Sequence, residues 1–344
     1  MDADHARGVN PYASRLHIIA EAGTNHAGKR DLAKRLIGIA AEARADSVKF
    51  QIIYPEGLYL PVTIAPDGTR TPSEVVAKRR AMMLSDDEYR KLRDDALELG
   101  IPMSASVFDT RGVRLVNELD APYIKFASCD LDNSALLKTG AETGRKIILS
   151  TGMSTLGEVE TAVADVLSTG NRDVVLLHCV SCYPATLAQM NLGFITTLRA
   201  AFGLPVGLSD HTEDSRASLM ALALGATWFE KHCTYDRAAE GFDHAYAMEP
   251  AGLARYIADL REGELALRAP IPKVSKQEAA TAERARRGVY AARDIAPGEI
   301  LHDDDLLVVR PPNGTRPNEA ALLVGRPVSV ALHQHEPIHR AHVA

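Results

Sequence analysis

The sequence contains no long apolar run, and this absence excludes one class of protein. None of its hydrophobic stretches approaches the roughly 18 residues that a helix needs to cross a bilayer. Its first five residues (Met1-Asp2-Ala3-Asp4-His5) lack the basic and apolar regions of a secretory signal. We therefore expect a cytoplasmic protein without a membrane role.

Cysteine is also scarce, with four in a chain of 344 residues. Four are too few for a disulfide framework in a chain of this length, and the cytoplasm keeps thiols reduced. Cys179 and Cys182 have the spacing of a redox or zinc pair, but no second such pair accompanies them. The alternative is that they are buried or cavity-edge thiols, and we favour it because Cys179 follows an apolar strand.

A long basic tract is missing as well. The net charge is −6 and residues of both signs are mixed along the chain, so no segment is typical of nucleic-acid binding. Any anionic ligand must then be held by local lysines.

The sequence does contain a regular alternation of short apolar runs with amphipathic helical segments. The predicted strands are His17–Glu21, Ser47–Ile52, Ile101–Ser104, Tyr123–Ala127, Lys146–Ser150, Val174–Cys179, Val206–Ser209 and Thr227–Lys231. Thr155 and Glu158 form a capping-box pattern that opens one of the intervening helices. Strand–helix units repeated eight times over about 250 residues predict an α/β fold, the (β/α)₈ or TIM barrel.

The pattern changes after Arg268, which indicates further domains. We predict an N-terminal tail (1–16), a barrel domain (17–268), a linker (269–287) and a small β-rich domain (288–344). The proline-rich connection from the second to the third strand predicts a surface excursion beside the barrel mouth. In the small domain, residues 292–300 and 331–338 are weakly similar in sequence, as an internal repeat would be.

Two histidines, His211 and His232, each follow a predicted strand, with one helix between those strands. If the strands are parallel neighbours, both imidazoles emerge on the same rim, which is one way to build an open metal site. Two unrelated histidines that cap strand ends are the alternative. Water and carboxylate oxygens would complete the site, which favours Mn²⁺, with Mg²⁺ or Co²⁺ as alternatives.

Polar residues collect at the carboxyl ends of the predicted strands, where (β/α)₈ enzymes place their reactive groups. They include Glu21, Lys49, Gln51, Ser106, Lys125, Ser128, Ser150, Ser181, Ser209 and Glu230. A lysine inside a barrel mouth is costly without an anionic partner, so Lys49 and Lys125 indicate a small phosphate- or carboxylate-bearing ligand. The alternative is a lysine–glutamate pair that merely neutralises the interior, for example Lys49 with Glu21.

Several motifs together resemble the sialic acid (N-acetylneuraminate) synthase family, whose enzymes condense phosphoenolpyruvate with an amino-sugar aldehyde. The matching segments are residues 18–28, 48–51, 124–128, 148–153, 177–184, 207–212, 230–234 and 241–244. In the small domain, residues 298–300 and 309–314 are similar to that family's C-terminal SAF domain, which resembles type III antifreeze proteins.

The resemblance implies a role for each matching residue. His211 and His232 would bind the divalent metal, and Glu21 or Glu230 would handle the proton of the attacking water. The phosphoenolpyruvate residues would be Lys49, Lys125, Ser128, Ser150 and Ser209, while Glu21, Gln51, Tyr183 and Asp243 would face the sugar. The resemblance also implies a domain-swapped homodimer, in which Arg310 of one subunit reaches the sugar bound by its partner.

Three segments depart from the family pattern near the sugar. Residues 105–108 replace the usual Ser-Thr-Pro-Phe, so that Ser106 takes the place of the threonine; residues 127–129 and 240–243 also differ. The acceptor therefore stays open: N-acetylmannosamine, a deoxy-diamino sugar, a sugar phosphate or another aldehyde. Two further alternatives are a heptulosonate- or octulosonate-type synthase and a non-catalytic carbohydrate-binding protein, against which the intact lysines and histidines count.

Overall fold

The computed structural model describes residues 16–267 and 274–344, which belong to two compact units that divide between Arg268 and Ala269. Most of the predicted tail (1–16) and part of the predicted linker lie outside the described residues. The described strands are β1 (His17–Gly23), β2 (Ser47–Ile52), β3 (Val62–Ile64), β4 (Arg70–Pro72), β5 (Met103–Val107), β6 (Tyr123–Phe126), β7 (Lys146–Ser150), β8 (Val174–Cys179), β9 (Val206–Asp210), β10 (Trp228–His232), β11 (Gly288–Ala291) and β12 (Leu306–Val309).

Helices follow the barrel strands and cover the outside of the sheet. The described α-helices are α1 (Arg30–Glu42), α2 (Pro55–Leu58), α3 (Glu74–Ala81), α4 (Asp86–Glu98), α5 (Thr110–Glu118), α6 (Ser134–Ala141), α7 (Leu156–Ser168), α8 (Phe194–Phe202), α9 (Arg216–Ala223), α10 (Pro250–Leu267) and α11 (Lys276–Ala285). The predicted capping box is present at α7. The Thr155 side chain accepts a hydrogen bond from the Glu158 amide, and the Glu158 side chain accepts one from the Thr155 amide.

Within residues 16–267, eight parallel strands close into a barrel in the order β1-β10-β9-β8-β7-β6-β5-β2. The predicted (β/α)₈ barrel is therefore confirmed. The third barrel strand is displaced from its prediction, because it runs from Met103 to Val107 rather than from Ile101 to Ser104. Pro102 has no amide hydrogen to donate to the sheet, so the ladder begins after it and Ser106 lies on the strand itself.

Strand alternation gives the barrel two apolar layers with different neighbours. One set of side chains points outward and packs under the helices, as Ile18, Val48 and Phe229 do. The other set points inward and fills the lower part of the barrel, where Ile19, Tyr123, Ile148, Val175 and Leu177 form a separate apolar cluster. Polar side chains occupy the layer above this cluster, so the mouth is a polar cavity on an apolar floor.

The excursion between β2 and β5 has a regular structure of its own. It contains the hairpin β3–β4 and the helices α2 and α3. The predicted linker is likewise partly regular, because α11 forms with Ser275 and Glu278 as its capping box. Among the helices of the described residues, none is long and apolar enough to cross a membrane.

The small unit is built around the antiparallel pair β11–β12 and a core that includes Val289, Leu301, Leu323 and Ile338. Its two segments of similar sequence form similar turns. Glu299 accepts from the Ala296 amide at 2.7 Å, and Glu336 accepts from the His333 amide at 2.8 Å. The two segments also pair with each other, because Ile295 and Leu332 exchange backbone hydrogen bonds.

Lys231 and Asp210 illustrate a structural use of charge beside the mouth. Lys231 Nζ lies 3.1 Å from Asp210 Oδ2, and both side chains are almost fully buried on the outer face of the barrel. Thr212 and Ser218 also donate to the Asp210 carboxylate. The pair links the ends of β9 and β10, the two strands that carry the predicted metal-binding histidines.

Replacing Lys231 with methionine should therefore lower the free energy of unfolding by about 3–5 kcal/mol, because it leaves the buried Asp210 carboxylate without its cation. Urea denaturation followed by circular dichroism measures this loss.

Lys138→Ala serves as the control for that measurement. Lys138 pairs with Asp165 at 2.9 Å on the surface, where its own side chain is 44% exposed. Such a pair contributes about 1 kcal/mol or less. Equal losses in the two variants would contradict a structural role for the buried pair.

Candidate active site

A cavity of about 260 Å³ opens at the carboxyl end of the barrel. All the predicted site residues of the barrel line it except Asp243, namely Glu21, Lys49, Gln51, Ser106, Lys125, Ser128, Ser150, Ser181, Tyr183, Ser209, His211, Glu230 and His232. Asp243 lies at the rim, on the loop that follows β10. Arg310 belongs to the second unit, where it is exposed at the end of β12.

Lys49 occupies the centre of one side of the cavity. Its ammonium lies 2.6 Å from Glu21 Oε2 and 3.4 Å from Glu230 Oε2, and it donates to Ser106 Oγ at 2.7 Å. The pairing of Lys49 with Glu21, raised as an alternative from the sequence, is thus present. Burial acts to lower the pKa of Lys49, but the two carboxylates raise it overall, so the ammonium stays charged.

Lys125 is less closely paired than Lys49. It donates to Ser150 Oγ at 2.7 Å and lies 3.7 Å from Glu230 Oε2. Burial lowers its pKa, and the attraction of Glu230 only partly opposes that effect. Lys125 is therefore the ammonium that gains most from an incoming anion.

The two carboxylates of the cavity have different environments. Burial raises the pKa of Glu21 despite the nearby Lys49, whereas Lys125 and Lys49 outweigh burial and hold the pKa of Glu230 well below its usual range. Glu230 also accepts a hydrogen bond from Ser209 Oγ at 2.8 Å. Glu230 is thus a fixed anion, while Glu21 is the carboxyl whose protonation can change more readily.

The rings of His211 and His232 lie side by side, with their centroids 5.5 Å apart. His211 Nδ1 contacts the Val180 carbonyl oxygen at 2.9 Å, and its Nε2 lies 3.4 Å from Ser209 Oγ. Burial acts to lower the pKa of His211, but Cys179 and the Val180 carbonyl raise it overall. His232 Nδ1 is buried and finds no hydrogen-bond partner among the described residues. Burial lowers the pKa of His232 to about 4, which keeps its ring neutral at physiological pH.

Neutral imidazoles with available lone pairs are the form that binds a divalent cation. The described residues contain no cluster of three or more histidine, cysteine or carboxylate side chains that could complete a protein-only site. The donor set therefore fits an open site, in which two histidines hold the ion and substrate or water supplies the other ligands.

Two glycines that sequence reasoning did not single out give the cavity its shape. A β-carbon on Gly152 would lie 2.6 Å from Ser181 Oγ, 2.8 Å from Ser128 Oγ and 3.2 Å from Cys179 Sγ. The Gly152 amide itself donates to Ser128 Oγ at 3.0 Å. Two hydroxyls and a thiol therefore pack closely against the Gly152 backbone, and any side chain there would displace them.

Gly23 has the same function on the opposite side of the cavity. A β-carbon there would lie 3.0 Å from Asp243 Oδ2, 3.4 Å from Gln51 Nε2 and 3.5 Å from Glu21 Oε1. Its φ of +56° is also one that glycine tolerates best. Carboxylate and amide groups surround this space, in contrast to the lysines and hydroxyls on the Gly152 side.

Tyr246 is a further residue that the sequence did not reveal. Its hydroxyl donates to Asp243 Oδ1 at 2.5 Å, and its ring lies near those of His232 and Tyr183, at 5.2 and 5.0 Å between centroids. A Tyr three residues after an Asp is too common to signal this contact.

All four cysteines, which the described residues include, are free thiols, and Cys179 is buried in the cavity wall.

Comparison with known proteins decides what kind of barrel this is. The NeuB family model matches residues 36–271, and the SAF domain model matches residues 286–344. This chain belongs to the NeuB family. The resemblance to sialic acid synthases and to their C-terminal SAF domain is thereby confirmed.

Named relatives span nearly the whole NeuB chain. The N,N'-diacetyllegionaminic acid synthase of Campylobacter jejuni is 37% identical over 86% of this chain and 91% of its own. The N-acetylneuraminate-9-phosphate synthase of Homo sapiens is 34% identical over 93% of this chain and 90% of its own. The crystal structure of the N-acetylneuraminic acid synthetase of Leptospira borgpetersenii, in complex with citrate, matches with a TM-score of 0.68 at 32% identity, over 78% of this chain and 90% of that one.

The prediction of an enzyme is therefore confirmed: this NeuB chain is a sugar acid synthase of the phosphoenolpyruvate-dependent kind. The alternative of a non-catalytic carbohydrate-binding protein does not fit a NeuB chain whose relatives are synthases over most of their length.

Gly152→Ala should weaken the binding of a phosphate-bearing ligand about tenfold or more, because the added methyl displaces the Ser128 and Ser181 hydroxyls. The estimate takes one lost charged hydrogen bond as about 1.5–3 kcal/mol. Isothermal titration calorimetry with phosphoenolpyruvate measures the change.

Gly157→Ala is the matched control. Gly157 lies in α7, and a β-carbon there meets no described atom within 4 Å. Unchanged affinity in Gly152→Ala would mean that the positions of the Ser128 and Ser181 hydroxyls do not affect ligand binding.

Proposed function

We propose that this protein condenses phosphoenolpyruvate with an amino-sugar aldehyde to form a sialic-acid-like 2-keto sugar acid and inorganic phosphate, with a divalent cation bound at His211 and His232. The observation that carries the proposal is a single cavity that brings together two lysines, two glutamates, five serine hydroxyls and the two histidines. Relatives named for neuraminate and legionaminate synthesis support the substrate class.

The phosphoenolpyruvate would lie on the Gly152 side. Its phosphate and carboxylate would contact Lys49, Lys125, Ser128, Ser150 and Ser209, with Ser106 and Ser181 beside them. Two lysines face two carboxylates in this cavity, so their charges cancel when all four groups are ionised. An anion of several charges therefore benefits from a cation at the histidine pair.

The acceptor would lie on the Gly23 side, against Glu21, Gln51, Tyr183 and Asp243. When bound, the cation would act as a Lewis acid toward the aldehyde oxygen, and Mn²⁺ is the ion that we propose, with Mg²⁺ or Co²⁺ as alternatives. The side chains hold the two substrates so that C3 of phosphoenolpyruvate faces the aldehyde carbon.

The reaction forms a carbon–carbon bond at C3 and a bond from water oxygen to C2, breaks the bond between C2 and the phosphate oxygen, and protonates the aldehyde oxygen to a hydroxyl group. C3 of phosphoenolpyruvate attacks the aldehyde, positive charge develops at C2, water adds there, and the tetrahedral intermediate loses phosphate through cleavage of its C2–O bond. Glu230 is an anion held by two lysines and stabilises the charge at C2. Glu21 faces the Gly23 space and is our candidate for accepting the proton of the water.

A panel of aldoses tests the proposal directly. With phosphoenolpyruvate and Mn²⁺, the purified protein should release phosphate and form a product whose mass equals that of the aldose plus pyruvate. N-acetylmannosamine, a diacetamido-deoxy hexose, their 6-phosphates and mannose cover the acceptor classes. Chelation with EDTA should abolish phosphate release, and added Mn²⁺ should restore it.

Controls without aldose identify release by simple hydrolysis. Turnover that is insensitive to EDTA would rule out the metal, whereas phosphate release without a condensed product would rule out the carbon–carbon bond-forming reaction.

We also propose that two chains form a domain-swapped dimer, in which Arg310 of each small unit serves the barrel of the other subunit. The exposure of Arg310 at the end of β12 and the SAF domain match support this arrangement. Arg310→Ala should then raise the KM for the sugar and leave the KM for phosphoenolpyruvate unchanged, whereas Arg316→Ala, an exposed arginine of the same unit, should change neither.

Mixing two variants that are each impaired at low sugar concentration tests the swap itself. Arg310→Ala and Lys125→Ala chains, unfolded and refolded together, should recover about a quarter of the wild-type rate at low sugar concentration, because half of the dimers are mixed and each has one intact site. No recovery in a confirmed mixed dimer would contradict the swapped arrangement.

A further inference from the structure

An arginine–aromatic contact joins a helix of the excursion to the loop after β10. The guanidinium carbon of Arg79 lies 3.7 Å from the centre of the Phe242 ring. Arg79 is on α3 of the excursion, while Phe242 is on the loop after β10 and stays 43% exposed. A guanidinium at this distance over an aromatic ring is attracted by the negative face of the ring.

The same arginine reaches a third segment. Arg79 Nη1 donates to Thr24 Oγ1 at 3.2 Å, and Thr24 directly follows Gly23. Arg79 thus connects the excursion, the end of β1 and the Phe242 loop around the space above Gly23. Three segments that are distant in sequence meet at one side chain.

Asp243 directly follows Phe242 in the chain. Its Oδ2 is 3.0 Å from the point where a β-carbon on Gly23 would lie, and its Oδ1 accepts from Tyr246. His244, on the other side of Asp243, is fixed by a 2.6 Å hydrogen bond between its Nδ1 and Thr234 Oγ1. Asp243 therefore lies between two residues whose side chains are each held by a contact with another segment, Phe242 by Arg79 and His244 by Thr234.

We propose that Arg79 and Phe242 form a clamp that positions Asp243 over the space above Gly23 and so sets the affinity for the acceptor. This inference rests on the proposed function, because it assigns the Gly23 side to the sugar. Neither clamp residue lines the cavity, so both are positioning residues. Glu21 and Asp243 both face this space, so the part of the acceptor bound there carries hydroxyl or N–H donors and no phosphate.

Kinetics of Phe242→Ala and Arg79→Met test the clamp. Each should raise the KM for the acceptor about 3- to 30-fold, which corresponds to the loss of one cation–π contact, while the KM for phosphoenolpyruvate stays within twofold. Phe242→Tyr keeps a ring under the guanidinium and should retain wild-type values. Arg111→Met is the control, because it removes a similar contact, 3.8 Å from the Tyr54 ring centre, that does not involve Asp243.

A double substitution distinguishes positioning from general damage. If the clamp acts through Asp243, Phe242→Ala should change the acceptor KM less than about twofold in an Asp243→Ala background. Additive effects, or equal rises in the KM of both substrates, would overturn the proposal.

Hydrogen exchange measured by mass spectrometry gives a result that does not depend on turnover. Amides of residues 240–246 should exchange faster in Phe242→Ala and Arg79→Met than in the wild type or Arg111→Met. Unchanged exchange would overturn the clamp even if the enzyme is active. If the wild type turns over no acceptor, the proposed function and the acceptor role of the clamp both fail, while faster exchange still shows that the contact orders the loop.

Discussion

Two lysine ammonium groups lie inside a closed barrel, and the rest of the site depends on how they are stabilised there. Burying an ion costs several kcal/mol unless partners surround it. Glu21 and Glu230 supply opposite charge to Lys49, while Ser106 and Ser150 accept from the two lysines. Because these partners come from different strands, the network forms only when the barrel closes. The charged cavity therefore forms together with the closed barrel.

The groups around Gly152 and Gly23 differ in kind. Two serine hydroxyls and a thiol approach Gly152, whereas Asp243, Gln51 and Glu21 approach Gly23. A polyhydroxylated molecule finds acceptors for its hydroxyl groups near Gly23, with the histidine pair on the cavity wall.

Much of this arrangement could be predicted from particular residues. His211 and His232 each follow an apolar run, and Lys49, Lys125 and Glu230 fall at inward positions of strands whose bounds were nearly right. Lys231 and Asp210 show where such prediction ends, because they adjoin site residues in sequence yet point outward and form a buried pair. Strand alternation places neighbours in the chain on opposite faces of the sheet, so adjacency to a site residue does not indicate a shared function.

The sequence by itself determined the barrel, the SAF-like unit and the residue types at the strand ends, because strand periodicity and motif order are local properties of the chain. Only the tertiary structure decided which groups meet. The pairing of Tyr246 with Asp243, the spaces above Gly23 and Gly152, and the contact between Arg79 and Phe242 join segments that are far apart in sequence or depend on a missing side chain. Such contacts follow from the closure of the barrel and the packing of its loops, for which no local pattern exists in the sequence.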